Sequence, residues 1–154
     1  MRNGSVHSIH IADGRGEPTR AVPEARAVLG MGLEGDRHFG RAQAEPGQGR
    51  DVTFIELEAM EAMEQDYGVK LEPGDARRNI VTKGVALNEL VGREFRVGEV
   101  VLRGLRLCEP CAHLASLTHE KVLPGLVHRG GLRAQIVEGG VIRVGDGVEA
   151  ALSG

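Results

Sequence analysis

Residues 94–107 read Glu-Phe-Arg-Val-Gly-Glu-Val-Val-Leu-Arg-Gly-Leu-Arg-Leu. Two Val-rich runs, 94–97 and 99–107, meet at Gly98, and both read as strands. Working outward, most of the chain repeats this grammar of short strands between glycine turns. Val6, Ile9 and Ile11 mark a first strand, with His7 and His10 among them. Residues 26–29 and 78–82 are further strand candidates. Residues 133–137 and 141–144 read as a hairpin turned by Gly139-Gly140, and a last strand, 148–152, follows Gly145-Asp146-Gly147. Many short strands with one or two helices imply a mainly β fold, a closed or partly open β-barrel with short helical insertions.

One helix stands out, over about residues 54–67. Thr53 followed by Glu56 has the form of a capping box, in which hydroxyl and carboxylate satisfy free amides reciprocally. Ile55, Ala59, Ala62 and Met63 recur at helical spacing, and Gly68 closes the helix as a C-terminal cap. Residues 112–128 suggest one or two short helical turns. Residues 33–50 are polar, glycine-rich and without periodicity, as functional loops often are.

Composition bounds the rest. The chain has 154 residues, a length that suits one domain over 1–154, and 23 Gly with 6 Pro in no fixed period. Leu, Ile, Val and Phe total 41 residues, enough apolar matter to form a core. No apolar run is long enough to span a membrane, and the first residues lack the stretch of a secretory signal. Two cysteines do not make a disulfide scaffold, so reduced thiols in a cytoplasm are expected. The net charge of −3 conceals an asymmetry. Residues 54–75 carry seven acids against Lys70, whereas residues 76–133 carry ten bases against five acids. A solvated acidic helix explains the first, and a site for an anion would explain the second. With an acidic balance overall and four aromatic rings to stack on, nucleic acid is not the expected partner.

The strongest chemical candidate is Cys108-Glu109-Pro110-Cys111, directly after the long strand. Three functional readings stay open beside the bland one of two buried thiols. A reversible disulfide would suit thiol redox, but calls for a thioredoxin-like βαβ setting that this context lacks. A zinc-stabilised interaction module would use both thiolates with two of His113, His119 and His128. In the third reading, one thiolate ligates a softer metal carried in a cofactor, whose anionic group is held by arginines and bare amides. Three fragments suit that reading. They are Gly32-Leu-Glu-Gly-Asp36-Arg37-His38, Gly74-Asp75-Ala-Arg77-Arg78-Asn79 and His128-Arg129-Gly130-Gly131-Leu132-Arg133. Strand alternation would set Arg77 and Asn79 on one face and Arg78 on the other. No Walker-A loop, His-Glu-x-x-His or nucleophile elbow is present.

Taken in order, Gly32–His38, residues 77–82, Cys108–Cys111 and the closing Gly140-Val-Ile-Arg-Val-Gly-Asp146 resemble the MOSC domain, a family named for the C-terminal part of molybdenum cofactor sulfurases. The resemblance runs from about residue 4 to 150 and is to the small stand-alone bacterial type. It implies a barrel-like domain that binds molybdopterin-type cofactor, acting as cofactor or sulfur carrier or as a small molybdenum-dependent reductase. It places the metal or sulfur ligand on Cys111, with Cys108 secondary. Arg77 and Asn79 match the family's Arg-x-Asn; Arg129 and Arg133 become cofactor contacts, and Asp36 with His38 a loop wall. The chain holds no counterpart of the larger reductases' N-terminal barrel, nor of the pyridoxal-phosphate domain of the sulfurases. A cysteine desulfurase or an electron-donor protein is the implied partner, and a homodimer is compatible with an exposed cleft.

Overall fold

The computed structural model describes residues 3–14, 17–40, 51–108 and 130–149. Its strands are β1 (Asn3–Ile11), β2 (Arg20–Val22), β3 (Glu24–Val28), β4 (Gly32–Leu33), β5 (Val52–Glu56), β6 (Ile80–Lys83), β7 (Glu94–Val97), β8 (Val100–Leu107), β9 (Leu132–Glu138), β10 (Gly140–Arg143) and β11 (Gly147–Glu149). A single α-helix, α1 (Leu57–Tyr67), links β5 to β6, and a 3-10 turn covers Leu87–Leu90. Seven strands run β11-β7-β8-β9-β5-β6-β1, and β1 pairs back onto β11, so the sheet closes into a barrel. β2 extends β1 beyond the closure, and β10-β3-β4 form a separate three-stranded sheet. The mainly β barrel expected from the sequence is what the chain forms.

Closure follows from alternation. Val6, Ile9 and Ile11 on β1, Val52 and Phe54 on β5, and Leu132, Ala134 and Ile136 on β9 share one interior cluster. Phe54 and Phe95 meet there edge to face, with ring centroids 5.5 Å apart. Residues between them point outward. On β5 and β6 the outer face is covered too: Ile55 and Val81 pack under Ala59, Met60 and Met63 of α1. Buried on both faces, these two strands read as apolar runs and pair in parallel through the helical crossover.

The helix begins later than the capping box implies. Residues 52–56 are strand, so the helix expected over 54–67 starts at Leu57. Thr53 gives its hydroxyl to the Asn79 Oδ1 and accepts from the Asn79 N–H. Glu56 does not reach back to its own helix, since its Oε2 accepts from Leu87 N at 3.1 Å. The other end is as expected: Gly68 sits at φ 69° and donates to the Glu64 carbonyl.

The C-terminal hairpin is also corrected. β9 pairs with β5 and β8, whereas β10 pairs with β3, so the chain changes sheet at Gly139-Gly140. Gly139 lies so close to the Ala27 carbonyl that a side chain there would collide with it. On β10, the Val141 and Arg143 amides point away from β3 and are taken by Glu99 Oε2 at 3.1 Å and Asp146 Oδ2 at 2.8 Å. Among the described residues no helix is long and apolar enough to cross a membrane.

Candidate functional site

The polar residues singled out in the sequence gather where β6 and β9 begin and where β8 ends. Residue 79 precedes β6, and the strand begins at Ile80, two residues later than expected. Arg77 has φ 59°, in the left-handed region that a long side chain seldom adopts. Alternation therefore does not reach back to Arg77, and the three side chains take three directions. Arg77 Nη1 donates to the Glu17 carbonyl at 2.7 Å. Arg78 crosses to the far side, its Nε donating to Gly130 O at 2.7 Å and its Nη2 to Cys108 O at 3.3 Å. Asn79 is buried and ties three strands: its Oδ1 accepts from Thr53 N at 3.1 Å, and its Nδ2 donates to His10 O at 3.2 Å.

The loop after β4 closes on this corner. Asp36, 6% exposed, accepts from Ala12 N at 3.1 Å, from the His38 amide at 3.4 Å and from Arg37 Nη1 at 3.3 Å. Arg37 then donates through Nη2 to the Arg77 carbonyl at 3.0 Å. Burial holds the Arg37 guanidinium below its ordinary range; Asp36 opposes that shift, while Arg77 and Arg78 add to it. The Arg37 guanidinium thus feels both neighbouring arginines, with the Asp36 carboxylate against it. Arg37 and Arg78 carry as much of this corner as Arg77 does. The sequence places Arg37 in the loop fragment without a role of its own, because a long cation buried beside an acid leaves no periodic signal.

Cys108 is a free thiol, buried at the end of β8, and its amide donates to the Gly131 carbonyl at 2.7 Å. Gly131, at φ 111°, passes over β5 where a Cβ would overlap the Phe54 carbonyl. Only a glycine allows β9 to arrive that closely. Arg133 lies opposite Thr53 on β5 and Arg106 on β8, facing outward, and its Nη1 is buried with no hydrogen-bond partner. Asp36, His38, Arg77, Asn79, Cys108 and Arg133 are all described. Cys111, Arg129 and the histidines of the zinc reading (113, 119 and 128) lie outside the described residues. Among the described residues no three His, Cys, Asp or Glu side chains gather as a metal site.

Fold and corner together define a class: a small closed β-barrel with a knot of arginines on its outer wall, next to the backbone of a buried cysteine. The model of the MOSC domain family matches residues 34–149, and the chain belongs to that family. The YuaD protein from Bacillus subtilis has the same fold, with a TM-score of 0.82, 18% identity and 97% of each chain covered. YiiM from Geobacillus stearothermophilus superposes with a TM-score of 0.75 at 14% identity, over 96% of this chain and 75% of that one. YiiM from Escherichia coli gives 0.70 at 17% identity, over 100% of this chain and 71% of that one. At these identities the likeness concerns the fold. No curated protein matches the chain.

Proposed function

We propose that this chain binds a molybdenum-type pterin cofactor beside the Cys108 turn and serves as its carrier, as a sulfur acceptor or as a small reductase. One observation carries the reading: Arg37, ion-paired to Asp36, lies within the field of both Arg77 and Arg78. Such a donor set has a surplus of fixed positive charge and fits an anionic phosphate. After their bonds to the protein, Arg37 keeps Nε, Arg77 keeps Nε and Nη2, and Arg78 keeps Nη1 for a ligand. Arg129 and Arg133 extend the contacts along the pterin, and His38 walls the loop side. Asn79 acts by position, since its amide holds β1, β5 and β6 in register beneath the arginines.

In this proposal the Cys111 thiolate is the metal or sulfur ligand. Cys108 is secondary: its carbonyl anchors Arg78, and its amide holds Gly131 at the start of β9. When bound, the cofactor supplies redox or sulfur-transfer chemistry at its metal. The chain's residues hold its phosphate and present one thiolate. The thiols belong in a reducing cytoplasm, and a cysteine desulfurase or an electron donor would complete the cycle.

The test is metal and pterin content of protein isolated from a host that makes the cofactor. The wild type should carry molybdenum and fluorescent pterin in matching amounts. Cys111→Ser should lose the molybdenum while keeping its fold, and Arg78→Met should lose both by at least about ten-fold, the order expected when a charged contact is removed. One equivalent of zinc with no pterin would favour the interaction module. Molybdenum retained by Cys111→Ser would sink the ligand assignment.

A further inference from the structure

Arg106 and Arg133 are register partners on β8 and β9, so two guanidiniums leave the same outer face of the barrel from neighbouring strands. Like charges placed directly across a strand pair repel and weaken the sheet. Neither has an ion pair or side-chain hydrogen bond among the described residues, although Arg103, a little earlier on β8, is paired to Glu94. The Arg133 Nη1 is moreover buried with no acceptor among the described residues. A buried donor left without a partner costs more than an exposed one. Next to Arg133, on β5, stands Thr53, whose hydroxyl donates to the Asn79 Oδ1 and accepts from the Asn79 amide.

From this we infer a second oxyanion position on the barrel wall: Arg106 and Arg133 together hold one tetrahedral phosphate or sulfate group. Such a group brings enough acceptor oxygens for two guanidinium forks, removes the repulsion between them and gives Nη1 its missing partner. The pair is separate from the Arg37–Arg77–Arg78 corner in both strand and sequence. The observations behind it, the register of the two strands and the orphaned Nη1, stand apart from the cofactor reading, in which Arg133 is also a contact. The group held there is either part of a bound cofactor or a free anion, and the chemistry of recognition is the same.

The experiment is thermal unfolding of cofactor-free protein against inorganic phosphate and sulfate, with chloride and acetate at matched ionic strength. Phosphate at about ten times its Kd should raise Tm by roughly 3–6 °C and saturate. Chloride should not reproduce this rise. Arg133→Met should abolish the rise without lowering the anion-free Tm, because it removes the orphaned donor together with the charge. Arg106→Gln should weaken the response at least five-fold in half-saturating phosphate, whereas Arg103→Gln, the same change of charge, should leave it intact. Arg77→Gln should also retain it. Protein loaded with cofactor then separates the sources: a lost phosphate response means the cofactor's own group sits there, and a retained one means a free anion. A rise that survives in Arg133→Met, or that vanishes in Arg77→Gln alone, places the anion elsewhere and overturns the inference.

Discussion

Replacing Asn79 by alanine isolates the polar tie beneath the arginine corner. The side chain is 2% exposed and serves two backbone groups from different strands, the Thr53 amide and the His10 carbonyl. Truncation strands both in the interior, at about 1–2 kcal/mol each, so a loss of about 3 kcal/mol is expected. For a chain of this size that lowers Tm by roughly 6–12 °C. The assay is thermal or urea unfolding of cofactor-free protein, so that ligand loss contributes nothing. Thr53→Val removes the hydroxyl that bridges to Asn79 and supplies the second arm of a double-mutant cycle. The pair should be non-additive by about 1 kcal/mol, as residues sharing one hydrogen-bond network are. An Asn79→Ala protein melting within about 2 °C of the wild type would refute the reasoning. So would strict additivity with Thr53→Val. In either case the Arg-x-Asn pairing would have to act by touching a ligand instead.

Three further outcomes follow from the same coordinates. Burial, then His7, depress the His10 pKa below its ordinary 6.5, with Asp75 opposing. The unfolded chain therefore takes up the proton first, and stability should be full above pH 6.5 and decline as the pH falls from there through the lowered value; His10→Gln should flatten that limb of a pH–stability profile. Gly131→Ala should cost at least about 3 kcal/mol or prevent folding, because its methyl meets the Phe54 carbonyl at a positive φ, while Gly68→Ala, which meets nothing, should cost about 1 kcal/mol in the same unfolding assay. Removing Glu99 and Asp146 together by alanine should leave the outer amides of β10 unpaired; hydrogen exchange at Val141 and Arg143 should accelerate, and light scattering should show self-association, with an unchanged monomer counting against it.

How much of this was legible in the sequence differs by element. Strand 94–97 was found to the residue and 99–107 to within one, since Val-rich runs at a glycine turn need no tertiary information. β5 was hidden inside the helix because Thr53 and Glu56 mimic a cap, and what overrides them is the ladder to β6 and the bond to Asn79. The change of sheet at Gly139-Gly140 was not legible either. A hairpin and a crossing to another sheet share the same glycines, and the choice is made by Ala27 and its neighbours. In the site, the motifs single out Asp36, Arg77 and Asn79, and the link between the first two runs through Arg37. The reach of Arg78 to Cys108 was not legible, because the left-handed turn at Arg77 breaks the alternation on which such a reading depends.

The closing of β1 against β11 carries a kinetic consequence. Gly4 and Val148 are register partners, so nearly the whole chain lies inside the loop that this pairing shuts. Such a contact comes late and slowly, because its entropy must be surrendered before any local contact repays it. During synthesis the outward edges of β1 and β7 wait unpaired until β11 has left the ribosome. The barrel is therefore sealed by one of its shortest strands. A chain stopped before Gly147 should show it by faster proteolysis and slower recovery from denaturant than the full sequence.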